Sequence, residues 1–419
     1  MILLDKIPEN SSVYIYGAGS AGQALYACLL KCRKDVLVMG FVDSYADGYL
    51  TKRKVYNFKS FLKLNLYKQC DYIVIASSYQ KEIKANLKNH GIDNVLVANA
   101  PSYLLKEILP QDVKYKIIEK LIAFLASLTN FYDYFSPKKN HLFFGENGGK
   151  FIGNNKYYFL QVKNDYNGNI FWVVNNRTVF DELRSENIPV LLFSSLRTKW
   201  LLFRSQCFYF DNMTWQRSYP WLKCFNTKII HMSHGVGLKY TERMMIPEQF
   251  IEQLSEEENT RLNESIFKND LLISTSEFYA REVSSPAYST PLEKIICSGY
   301  PKNDLFYKTI EGADIYTDKY VLEKIDDMRK EGKKIIVYAP TFRDMDSDFD
   351  YTSIFDIEEF KKFLITNDLL FVIKGHTSIS MNAEGTSADI SPVLFYKNDK
   401  DGYPLLKRAD MLITDYSSI

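Results

Sequence analysis

Short apolar runs recur along the chain, each closed by glycine, a hydroxyl residue or a charge, and the stretches between them carry apolar residues at helical spacing. This alternation predicts parallel strands joined by crossover helices, as in doubly wound α/β sheets. The first run, Ser12–Tyr16, passes directly into Gly17-Ala18-Gly19-Ser20-Ala21-Gly22 and a helix over Gln23–Cys32. Strands follow over Val36–Val42, Tyr72–Ala76 and Asn94–Ala98, with a helix over Lys81–Asn89. Residues 1–100 therefore read as a small Rossmann-like domain, and residues 101–139 as an amphipathic helical linker whose apolar positions keep helical spacing through Lys116–Leu128.

A second pattern begins near His141. Strands are expected over Ile170–Val174, Pro189–Phe193, Cys207–Phe210, Ile229–Met232, Leu271–Ser276 and Lys294–Gly299, which assigns residues 140–310 to one lobe. A third pattern, within residues 311–419, has strands over Lys334–Ala339, Leu369–Lys374 and Met411–Thr414 and a helix over Glu358–Asn367. It stops at Ile419 straight after a strand-end loop, so the last lobe is expected to be truncated.

Length fits this division, since 419 residues correspond to two or three domains at about 150 each. Lys plus Arg number 52 against 51 for Asp plus Glu, so no global field recruits nucleic acid. Six scattered cysteines without a Cys-x-x-Cys pair suit a reducing compartment. The N-terminus is too short and charged for a signal peptide, and no apolar run reaches the ~18–20 residues of a membrane span. The expected location is the cytoplasm, with the basic amphipathic linker open either to the next domain or to the membrane surface.

Polar chemistry gathers at the predicted strand ends, where open α/β sheets bind ligands. His234 and Gly235 follow one strand, with Lys239 close behind. Thr341 and Arg343 follow another, His376 a third, and Asp415, Ser417 and Ser418 the last. A neutral imidazole can deprotonate a hydroxyl near pH 7, while guanidinium and hydroxyl groups hold phosphate oxygens. Together they suit a nucleotide-diphosphate donor lying between two lobes. The acidic run Asp344–Asp350 reads as a solvated loop, and no metal site is assigned. In the first domain, Gly17, Gly19, Gly22 and Asp43 stand in the order of a dinucleotide fingerprint. NAD, another nucleotide, or no ligand at all in a docking module are the open readings there.

The series HMSHGVGLK (His231–Lys239), ICSGYPKND (Ile296–Asp304), YAPTFRD (Tyr338–Asp344), IKGH (Ile373–His376) and ADMLITDYSS (Ala409–Ser418) resembles the CDP-glycerol glycerophosphotransferase family of teichoic-acid-type polymerases over roughly residues 140–419. The resemblance implies a GT-B-like pair of doubly wound Rossmann-like lobes, acceptor lobe first. The small N-terminal domain lies outside it. It further implies that His234 is the general base and His376 a second histidine at the donor phosphates. Thr341, Arg343, Asp415, Ser417 and Ser418 then hold the donor diphosphate. A polyol-phosphate, glycerol-phosphate first, passes from a CDP-linked donor to a polymer or lipid-linked acceptor, CMP leaves, and no cofactor is obligatory. This chain has Val236-Gly237 where the family usually has Thr-Pro, and Lys374-Gly375-His376-Thr377 where it usually has Arg-x-His-Pro.

The competing reading is a GT-B glycosyltransferase that uses a nucleotide-sugar for surface polysaccharide synthesis. A nicotinamide-dependent oxidoreductase leaves the downstream motifs without a purpose, and a non-catalytic assembly protein leaves both histidines without one.

Overall fold

The computed structural model describes residues 7–50, 52–77, 79–97, 113–135, 137–237, 241–245, 251–252, 254–256, 259, 269–340, 358–375 and 392–415. The chain divides into two compact units, Met1–Lys116 with Tyr240–Lys268 and Pro286–Ser289, and Ile117–Lys239 with Asn269–Ser285 and Thr290–Ile419.

In the first unit, β1 (Ser12–Tyr16), β2 (Leu37–Asp43), β3 (Gly48–Leu50), β4 (Arg53–Asn57), β5 (Tyr72–Ile75) and β6 (Val95–Val97) form one sheet in the order β3-β4-β2-β1-β5-β6. All pairs are parallel except the β3–β4 hairpin. That hairpin is absent from the sequence expectation, because Arg53-Lys54-Val55-Tyr56-Asn57 buries only Val55 and carries no apolar run. The strand order reverses between β1 and β5, so a crevice opens where their carboxyl ends diverge. Helix α1 (Ser20–Cys32) starts at that crevice.

The second unit holds two sheets. The larger comprises β7 (Asn140–Phe144), β8 (Asn169–Val174), β9 (Val190–Leu192), β10 (Ser205–Phe210), β11 (Lys228–His231), β12 (Leu271–Ser274) and β13 (Ile295–Cys297), all parallel, in the order β13-β12-β11-β10-β7-β8-β9. Both faces are covered, so central strands such as β7 bury consecutive residues. Register puts Tyr209, Phe143 and Trp172 side by side on one face. Phe143 stacks on Tyr209 at 4.3 Å between ring centres, and this aromatic row is the centre of the larger core. The smaller sheet has β14 (Lys334–Tyr338), β15 (Leu369–Lys374), β16 (Val393–Tyr396) and β17 (Met411–Ile413), parallel, in the order β16-β15-β14-β17. Strand β16, the short apolar run Val393–Tyr396, is a further addition to the sequence reading.

Helix α2 (Val113–Phe135) falls within the span expected to be helical. From Ile117 onward it belongs to the second unit, where Ala126 is buried and Ile122 packs on the core under β7 and β10.

The two sheets are tied together through helix α3 (Gly153–Val162). Its Lys156 has no exposed surface, and the ammonium donates to the carbonyls of Ala313 (2.7 Å) and Ile315 (2.8 Å) and to Asp401 Oδ2 (2.6 Å). The Tyr157 hydroxyl donates to the same oxygen at 2.7 Å. Burial pulls the Lys156 ammonium below its ordinary value, and the Asp401 carboxylate opposes that shift. Removing one partner strands the other charge in an apolar interior. Asp401→Ala is therefore expected to lower stability by about 3–5 kcal/mol, read as a shift of the urea midpoint. Asp181→Ala, which breaks the exposed Arg177–Asp181 pair, should cost less than about 1 kcal/mol. Equal effects would show that the buried pair does not hold the lobes.

Candidate active site

The order of the seven-stranded sheet reverses between β7 and β10, so its crevice opens above Phe144 and Phe210. Asn155 spans these two ends: its Nδ2 donates to the carbonyls of Phe144 and Tyr209, both at 3.0 Å, and its N–H donates to Asp211 Oδ1 at 2.9 Å. Two carboxyls meet there. Asp211 is buried and its Oδ2 has no hydrogen-bond partner among the described residues, while Glu146 is reached by solvent in part. Burial, and then the charge of Glu146, hold the Asp211 carboxyl well above the usual carboxylate range. Burial likewise raises Glu146, against the pull of Lys302 and Lys150. The like charge of Glu146 therefore adds to burial in opposing ionisation of Asp211.

The neighbouring strand β11 delivers the histidines. His231 is its last residue and is fully buried, and burial lowers its imidazole to about 3, so it stays neutral at physiological pH. His234 is exposed. Of the two, only His234 is open to solvent. The loop between them is bent sharply, with Ser233 at φ +58°, a conformation that costs a non-glycine residue of order 1–3 kcal/mol. Neighbours compensate. Asn154 Nδ2 donates to Ser233 O at 2.6 Å and to Met232 O at 3.2 Å, Tyr300 OH donates to Ser233 Oγ at 3.2 Å, and Tyr279 OH accepts the N–H of Gly237 at 2.9 Å.

In the four-stranded sheet, β15, β14 and β17 end side by side, so Lys374–Gly375, Ala339–Pro340 and Thr414–Asp415 lie along one edge. The Ala339 N–H donates to Ile413 O at 2.9 Å, and Thr414 Oγ1 donates back to Ala339 O at 2.7 Å. The stems of three predicted donor motifs are thereby adjacent, and Asp415 is exposed at the rim. Lys239, Thr341, Arg343, His376, Ser417 and Ser418 lie outside the described residues.

In the first unit, Gly17, Gly19 and Asp43 line a cleft of about 790 Å³ at the β1–β5 crevice, together with Ser44, Tyr45 and Ser77. The glycines divide their work as the fingerprint requires. A Cβ on Gly22 would drive into the Gly17 carbonyl, whereas one on Gly19 would meet nothing within 4 Å. Asp43 is committed to the loop: its carboxylate accepts the N–H groups of Ala18 (3.1 Å), Tyr45 (3.0 Å) and Ala46 (3.1 Å). Partial burial raises that carboxyl, and these donors more than reverse it, leaving it below the usual carboxylate range.

Residues 128–419 match the profile of the CDP-glycerol:poly(glycerophosphate) glycerophosphotransferase family, which is more than half of the chain. The chain belongs to this glycerophosphotransferase family. Residues 9–97 separately match a C2185-like N-terminal domain. Among curated relatives of the glycerophosphotransferase region, a teichoic acid poly(glycerol phosphate) polymerase of Bacillus spizizenii is 28% identical over 269 residues, 62% of this chain and 64% of that protein. A teichoic acid glycerol-phosphate transferase of Staphylococcus aureus is 26% identical over 301 residues, 68% of this chain and 71% of that protein. The chain thus spans just under two thirds of the first relative's length. The solved wall teichoic acid polymerase TagF superposes with a TM-score of 0.50 at 21% identity, covering 75% of this chain and 74% of that one, so the two share the GT-B-like fold.

Sequence reasoning passed over Glu146, Asn154, Asp211, Tyr300 and Lys302 as site residues. Asp211 follows an apolar strand directly and Glu146 follows one after a single glycine, and Tyr300 and Lys302 stand inside a quoted motif, so strand-end position was the available signal.

Proposed function

We propose that this chain transfers glycerol-phosphate from a CDP-linked donor to a hydroxyl of a teichoic-acid-like polymer, with His234 as general base. The observation that carries the reading is the exposed His234 on a braced loop beyond β11, next to the strand at the sheet reversal, in a member of this family. The imidazole takes the proton of the acceptor hydroxyl. The freed oxygen attacks the phosphorus that bears the glycerol, the bond to the CMP oxygen breaks, and CMP leaves with that electron pair. Arg343, His376, Thr341, Ser417 and Ser418, with Asp415 in the same motif, are proposed to orient the diphosphate and its developing charge. The alternative, glycosyl transfer from a nucleotide-sugar, differs in its product, since attack at an anomeric carbon releases a nucleoside diphosphate.

The first unit's cleft is proposed as a phosphate-binding seat, because Gly19 leaves the start of α1 open. The engagement of Asp43 with three main-chain N–H groups argues against a ribose clamp for NAD. We also propose that α2 rests on the inner face of a membrane. Ile117, Leu121, Phe124 and Leu128 form one exposed apolar stripe, flanked by exposed Lys120, opposite the face that buries Ala126. Among the described residues no helix is long and apolar enough to cross a bilayer.

Three measurements test these readings. In a screen of CDP-glycerol, CDP-ribitol and nucleotide-sugars, CMP release from CDP-glycerol is expected, and His234→Ala should reduce it by about 10²–10⁴; near-normal turnover would remove His234 as the base, and a nucleoside diphosphate product would select glycosyl transfer. Calorimetric titration with millimolar NAD should give no heat, whereas saturable heat would restore the dinucleotide reading. Sedimentation with anionic vesicles should carry the protein down, and Phe124→Glu should weaken this several-fold; a variant that sediments like the parent would clear α2 of the role.

A further inference from the structure

Lys302 follows Pro301 just beyond β13, and its side chain is only 5% exposed. A lysine so enclosed must be satisfied by its surroundings. Its Nζ donates to the carbonyl oxygen of His234 at 2.6 Å. Its main-chain N–H donates to Asn154 Oδ1 at 3.3 Å, and Asn154 is the residue whose amide holds Ser233 and Met232. One side of Lys302 therefore closes a frame around the bent histidine loop.

The other side faces the four-stranded lobe. Nζ stands 4.7 Å over the ring of Tyr403. The Tyr403 N–H donates to Asp401 Oδ1 at 3.1 Å, and Asp401 Oδ2 takes the buried Lys156. At the start of the same turn, Asn398 O accepts Lys374 Nζ at 2.9 Å, and Lys374 also reaches Gly375 O at 3.3 Å. Gly375 immediately precedes His376 in the chain. From the His234 carbonyl a path therefore runs through the Lys302 ammonium and its cation–ring contact with Tyr403, along the chain of the segment Asn398–Tyr403, and through Lys374 to the end of β15.

We infer that Lys302 is a positioning residue for the transfer: it aims His234 and couples that loop, through the turn Asn398–Tyr403, to the strand end that leads into His376. This rests on His234 being the base. A cation suits the task better than a neutral donor, because a charge-assisted bond to a carbonyl is roughly twice as strong. Groups facing the ammonium are Glu146 beyond β7, Asp211 beyond β10, Asp401 and Tyr403 from the turn, Tyr300 on its own segment and the carbonyl of His234. Burial lowers Lys302 to about 8, with Glu146, Asp211 and Asp401 pulling it upward. Below that pH the charged clamp is complete; as pH rises through it, the clamp weakens and the loop loses its aim.

The experiment uses the full chain with CDP-glycerol and a polyol-phosphate acceptor. In the parent, kcat should fall on the alkaline side with an apparent pKa near 8, and a kcat that stays flat well beyond pH 9 would overturn the inference even if every variant failed to fold. Lys302→Met should lose at least tenfold in kcat with donor KM changed less than about threefold, whereas Lys302→Arg should recover most of kcat and move the alkaline limb upward. Tyr403→Leu should lower kcat too, and the double variant should lose less than the product of the single losses; multiplicative losses would break the link through the turn. A folded Lys302→Met with parental kcat and parental pH limb sinks the positioning role. If His234→Ala itself turns over normally, the base assignment fails first, independently of what Lys302 does.

Discussion

A lysine ammonium without exposed surface, held by one carboxylate and two carbonyls, governs how the two sheets of the second unit meet. Desolvating both charges offsets much of their attraction, so an apolar pair of the same volume would serve stability as well. The gain lies in geometry. Asp401 can satisfy Lys156 and Tyr157 together only where its turn sits now, and a shifted lobe would leave a buried charge unmet. The segment that supplies the two carbonyls is itself anchored, since Ile310, Ala313 and Tyr316 pack into the core of the seven-stranded lobe.

The chemistry is arranged around that fixed meeting. The sheet reversal between β7 and β10 creates the crevice, and Asn155 keeps its two edges at one spacing. Within a few residues lie two carboxyls whose ionisation burial opposes, a histidine kept neutral by burial, and an exposed histidine on a bent loop. Burial acts in one sense on the first three, disfavouring the charged form of both carboxyls and of His231. Of the two histidines, His234 alone is open to solvent.

The first unit shows how far a motif can be trusted. Its three glycines carry the steric roles that the fingerprint implies: Gly22 lets the helix close on the strand, and Gly19 leaves the cleft open. Asp43 occupies the expected position, yet its oxygens are turned inward to the loop and the following turn. Spacing reports where a residue falls in the chain, while hydrogen bonding decides what it is available to do.

Much of the architecture was legible in the sequence, because strands buried on both faces must be apolar runs and their ends must be polar or glycine-rich. The runs at Ser12–Tyr16, Lys334–Tyr338 and Leu369–Lys374 are of this kind, and so is the placement of His234 at a strand end. The half-buried strand β4 escaped because it leaves no apolar run, and β16 was passed over although Val393–Tyr396 is apolar throughout. What no local pattern carried was pairing over long separations: Lys156 with Asp401, Asn154 with Ser233, Lys302 with His234. A buried lysine and an exposed one are the same letter. Sequence alone determined which residues stand at strand ends, because that follows from burial along one segment. Only the tertiary structure decided which histidine is open to solvent and which lysine braces it, because both depend on what the folded chain brings from elsewhere to surround them.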